Sequence, residues 1–161
     1  MSITLTAMRA DIGGVGGHLQ PSAGAVAALG EFLDRHAEAP ILDRWVGFTG
    51  DDITVLCTCD GETDPAVPED FLAQAFHHAA ARAAEEGLYG AGQDLSPGAA
   101  TGARKGRGPS VAQMTFEERA SEAFLILSVD KSLPGAFNLP LYLAFADPMH
   151  CPGLLLSPRM R

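Results

Sequence analysis

The sequence predicts an α/β fold: a layered sandwich of mainly antiparallel sheet with helices on one face. Three observations carry that expectation. The opening run "ITLTAM" alternates apolar and polar residues, as a half-buried strand does. A capped, amphipathic stretch follows it, and then two β-rich runs are joined by the short connection "TGDD". The order β-α-β-β-α, with a turn too short for a crossover between the middle strands, favours an antiparallel sheet covered by helices.

Taken in order, residues 3 to 11 read as the first strand, ending at Asp11. "QPSAGAVAALGEFLDRHAEA" reads as a helix capped by Ser22, with Val26, Leu29, Phe32 and Leu33 on its apolar face. Pro40 ends that pattern, and "ILDRWVGF" and "ITVLCTC" follow as strands. "PEDFLAQAFHHAAARAAEE" reads as a second helix that starts after Pro68 and stops before Gly87. From Gly87 to Ser110 no period holds, and a loop this long in a compact domain usually has a job. "VAQMTFEER" and "AFLILSVD" read as a second hairpin, "KSLPGAFNLPLYLAFADP" is mixed, and "GLLLSP" reads as a last short strand. The chain closes on "GLLLSPRMR", which suits either the last strand of a domain or a polypeptide cut short.

Length and composition bound the function. A chain of 161 residues with 47% hydrophobic and 19% charged content suits one globular domain spanning 1–161. The net charge of −9 argues against general nucleic-acid binding, which depends on neutralising phosphates. No apolar run reaches the roughly 20 residues of a membrane helix, so no membrane partner is expected. The N-terminus has neither the basic start nor the apolar core of a signal peptide, and a cytoplasmic setting is expected. Of the three cysteines, Cys57 and Cys59 fall two apart in one strand and so share a side. Their spacing is not that of a zinc or redox motif, and buried, reduced thiols are expected.

The residues able to carry chemistry are mostly acids. Asp11, Asp51, Asp52, Asp94 and Asp130 each end an apolar run or sit on a glycine turn. Carboxylates gathered at one sheet edge repel unless cations bridge them, and magnesium takes such oxygen ligands. A single such acid is usually a turn former, and Asp11 or Asp94 taken alone favours that reading. The segment "RADIGGVGGH" places four glycines between Asp11 and His18, where the backbone must turn sharply or approach something closely. His18 taken alone reads as a solvated or satisfied histidine, and His77 and His78 as surface or packing residues. Arg104, Lys105 and Arg107 form the one basic cluster, on the long loop; closing over a phosphate and a solvated loop tip are both open readings.

Together the motifs "ADIGGVGGH", "TGDD", "GLYGAGQDL", "GARKGRGPSVAQMTFEER", "VDKSLPGAFNLPLY" and "FADPMHCPGLLLSP" resemble the bifunctional fructose-1,6-bisphosphate aldolase/phosphatase family. The resemblance implies a magnesium enzyme of gluconeogenesis. Such an enzyme condenses dihydroxyacetone phosphate with glyceraldehyde 3-phosphate and then removes the 1-phosphate of fructose 1,6-bisphosphate. By motif matching it implies metal ligation, with several Mg2+ ions, by Asp11, His18, Asp51, Asp52, Gln93 and Asp130. Contact with the sugar phosphate would come from His18, Tyr89, Gly102, Ala103 and Lys131. The family carries an amide-bearing residue where this chain has Ala103, so only a backbone contact is expected there. Family members are more than twice as long, with an α-β-β-α four-layer fold and an octameric, homo-oligomeric assembly. Their Schiff-base lysine and acid/base tyrosine belong to the C-terminal part, so no catalytic residue is assigned within these 161 positions. A metal-binding module without turnover, or an inactive fragment, is the alternative reading.

Overall fold

The computed structural model describes residues 1–16, 19–36, 41–95, 109–120, 126–130 and 134–149. The chain divides into two compact units, Met1–Ala123 and Phe124–Arg161. In the first, β1 (Ser2–Ala10), β2 (Ile41–Thr49), β3 (Asp52–Asp60) and β4 (Ser110–Glu117) form one sheet in the order β2-β3-β1-β4. Every pairing is antiparallel. Two helices, α1 (Ala23–Arg35) and α2 (Ala66–Glu85), pack on one face, as the sequence predicts.

Register explains the layering. Met8 pairs with Val55, Ala10 with Ile53 and Thr6 with Cys57, so these side chains share one face. Met8, Ala10, Ile53, Val55 and Cys57 form the core with Leu29 and Leu33 of α1 and Leu72, Phe76 and Ala79 of α2. Burial of these apolar groups is the main favourable term in the fold. The opposite face carries Leu5 beside Met114, and Leu56 beside Trp45, with Met114 and Trp45 exposed.

Local chemistry sets the helix ends. Ser22 Oγ accepts the N–H groups of Gly24 and Ala25 at 3.1 and 3.4 Å, the N-cap expected from sequence. Helix α2 begins two residues before Pro68, which occupies the first turn, where its missing N–H leaves no bond unmade. At the other end Gly87, at φ +71°, donates to Ala84 and Leu88 donates to Ala83, both at 3.0 Å. This Schellman closure needs the left-handed conformation that glycine adopts freely.

Two expectations change. The loop after Gly87 is partly ordered: Gly14 and Tyr89 form a β-bridge, and Gln93–Leu95 make a 3-10 turn. Residues 126–129 lie in no strand, so the second hairpin is not found among the described residues. Apolar, β-branched residues favour a strand only where a neighbour offers a ladder to pair with. In the second unit the mixed segment contains a short helix, α3 (Asn138–Phe145), with exposed Leu139, Tyr142 and Phe145. The expected last strand, "GLLLSP", and the basic cluster Arg104, Lys105 and Arg107 lie outside the described residues. No described helix is long and apolar enough to cross a membrane.

Candidate metal centre

One end of the sheet collects Asp11, Asp51 and Asp52. β1 runs out at Ala10 opposite Ile53, so Asp11 follows at the end where β3 starts with Asp52. The β2–β3 turn is Gly50-Asp51, between the paired Thr49 and Asp52, and Gly50 takes φ +63°. Carboxylate oxygens of Asp51 and Asp52 lie within 4.8 Å of each other.

The segment 88–95 closes onto the same end. Gly14 and Tyr89 exchange backbone hydrogen bonds at 3.1 Å, and Gly92 N–H donates to Ile12 O at 3.2 Å. The glycines are required by proximity: a Cβ on Gly13, at φ +115°, would stand 3.0 Å from the Ala91 backbone, and one on Gly14 would stand 3.2 Å from Asp51 Oδ2. This docking places Gln93 Nε2 3.1 Å from Asp11 Oδ2, while Gly13 N–H donates to Asp11 Oδ1 at 2.9 Å. Asp94 Oδ2 accepts the Asp11 backbone N–H at 3.1 Å. Asp94 thus orients Asp11, a role that turn propensity alone does not reveal.

Asp52 is the buried member of the group. Arg9 Nη1 donates to its Oδ2 at 2.9 Å, with the two side chains 22% and 8% exposed. Beside them Thr54, the residue across the ladder from Arg9, is buried and its Oγ1 has no hydrogen-bond partner. The donors around this end are carboxylate and amide oxygens, which suit a hard cation such as magnesium, calcium or manganese. Thiolate chemistry is kept apart: Cys57 and Cys59 are free and buried on the helix-covered face. Burial, reinforced by Cys59, pushes the Cys57 thiol up to about 12, and burial raises Cys59 as well.

A family model described as fructose-1,6-bisphosphatase matches residues 2–161. The chain belongs to that family. Among curated relatives, the fructose-1,6-bisphosphate aldolase/phosphatase of Thermus thermophilus is 47% identical over the whole chain, which spans 44% of that protein. The enzyme of the same name from Sulfurisphaera tokodaii is 43% identical over 99% of the chain, and that from Cenarchaeum symbiosum 41% over 98%. The chain spans 42% and 41% of those two proteins, less than half the length of each relative.

Within this chain, the residues singled out from sequence fall into groups. Asp11, Asp51, Asp52 and Gln93 meet at the sheet end described above. Tyr89 is bridged to Gly14 through its backbone and turns an 86% exposed side chain outward. Asp130 belongs to the second unit, half-buried at a bend. His18, Gly102, Ala103 and Lys131 lie outside the described residues. Sequence reasoning missed Arg9 altogether. Its one available signal is that Arg9 is the only charged residue of β1, two positions before an acid.

Proposed function

We propose that this chain forms the cation- and sugar-phosphate-binding part of a magnesium-dependent fructose-1,6-bisphosphate aldolase/phosphatase. The observation that supports it best is the end of the sheet where the oxygen-bearing side chains of Asp11, Asp51, Asp52 and Gln93 converge, in a chain 47% identical to an enzyme of that name. In this reading Asp11, Asp51, Asp52, Gln93, Asp130 and His18 hold several Mg2+ ions. His18, Tyr89, Lys131 and the backbone at Gly102 and Ala103 hold the sugar phosphate. Magnesium supplies charge neutralisation at the phosphoryl oxygens and an acidified water. The protein's part is to fix the carboxylates in advance. Asp11 is oriented by Gln93 and Gly13, and the Asp52 carboxylate is held at the strand end in contact with Arg9.

The substrate of the hydrolytic step is fructose 1,6-bisphosphate, and dihydroxyacetone phosphate is the donor of the aldol step in gluconeogenesis. No lysine here is assigned to the Schiff base of that second chemistry. The free Cys57 and Cys59 accord with a reducing, cytoplasmic setting, and an octamer is the assembly the resemblance favours. The test is inorganic phosphate release from fructose 1,6-bisphosphate by the intact protein, with and without Mg2+. Release that needs Mg2+ and is abolished by Asp52→Asn supports the reading. Undiminished release from Asp52→Asn contradicts the ligand set, and no release with tight Mg2+ binding favours a binding module without turnover.

A further inference from the structure

We propose that Arg9 is the counter-ion of Asp52 in the ion-free protein and yields the carboxylate to a divalent cation, so that Arg9 sets how tightly the site holds its ion. The inference rests on Asp52 being a metal ligand. A carboxylate this enclosed is costly without a compensating charge, and Asp51 adds a like charge within 4.8 Å. The Arg9 guanidinium supplies that charge through a 2.9 Å contact to Oδ2.

A divalent ion draws on the same carboxylate and lies closer to its oxygens, at about 2.1 Å for Mg2+. It also repels the guanidinium. Arg9 and the ion therefore stabilise Asp52 at each other's expense, which is negative coupling between them. The ladder places Thr54 across from Arg9, so a buried hydroxyl with no partner stands beside the guanidinium once the ion takes Asp52.

The sign separates this role from simple orientation. If Arg9 only oriented Asp52 for the ion, losing it would weaken binding. As a competing counter-ion, its loss tightens binding and destabilises the ion-free state.

Calorimetric titration of Mn2+ into the intact protein, with thermal unfolding of each ion-free variant, tests this. Arg9→Gln is expected to bind Mn2+ about tenfold more tightly and to unfold about 5 °C lower without the ion. Arg9→Lys, whose compact ammonium pairs a carboxylate less well, should tighten binding by about two- to threefold. Unchanged or weaker Mn2+ affinity in Arg9→Gln overturns the proposal. If Arg9→Gln folds only with Mn2+ present, the proposal stands. If it does not fold at all, Arg9→Lys decides by the same sign. Asp52→Asn keeps the two failures apart: parental Mn2+ binding there removes the metal reading of Asp52 and the proposal with it. Lost binding there, with no gain in Arg9→Gln, removes the proposal alone.

Discussion

Asp11 is held from three sides: Gln93 and Gly13 donate to its carboxylate, and its own backbone N–H is tied to Asp94. Groups that orient a ligand typically matter to metal affinity by about 10- to 100-fold. Asp94→Ala is therefore expected to weaken Mn2+ binding by about tenfold or more, measured by calorimetry, although Asp94 is not itself counted as a ligand. Parental affinity in that variant would show that Asp11 holds its place without Asp94. A second residue-scale consequence concerns the thiols. The unfolded chain loses the Cys57 proton near 9.0, whereas the folded protein keeps it up to about 12. The proton-holding folded state is thus favoured below pH 9, and this contribution is lost as pH rises from 9 towards 12. Iodoacetamide at pH 8, read by peptide mass mapping, should modify Cys57 and Cys59 about tenfold or more slowly than in denaturant. Equal rates would contradict their burial.

Among the elements, those read correctly from sequence carry their signals locally. Ser22 stands just before an apolar spacing of three and four, and both the cap and the buried Leu29 and Leu33 follow from that. The cap also reaches beyond α1, because Ser22 Oγ donates to Glu86 at the end of α2, where Arg82 holds Glu86 at 3.0 Å. Ser22→Ala is expected to cost about 1 kcal/mol, seen in denaturant unfolding, with the larger part from the cap. No measurable loss would mean that water replaces the hydroxyl at both partners. What the sequence hid was set by tertiary pairing. "ILSV" has strand composition, but residues 126–129 find no ladder among the described residues. The prolines and aromatics around Asn138–Phe145 mask the period of α3. The acids at strand ends were legible because turn and strand signals bracket each one. The Arg9–Asp52 pair was not legible, since it depends on the β1–β3 register, which no local pattern specifies.

At the scale of the molecule, the sheet separates two chemistries by its faces. The helix side buries the apolar core with both thiols of β3, and one sheet end gathers carboxylates in a chain of net charge −9. That acidic surplus is more than a solubility device where Asp51 and Asp52 crowd together, since crowded carboxylates gain most from a bound cation. Membership of the fructose-1,6-bisphosphatase family and the oxygen ligands among the described residues point the same way. The central claim is that this sheet end holds divalent cations. The most direct measurement is anomalous diffraction from crystals of the intact protein grown with Mn2+ and fructose 1,6-bisphosphate. The account predicts anomalous peaks bounded by carboxylate oxygens of Asp11, Asp51 and Asp52. Peaks elsewhere, with these three carboxylates ligating nothing, would contradict it.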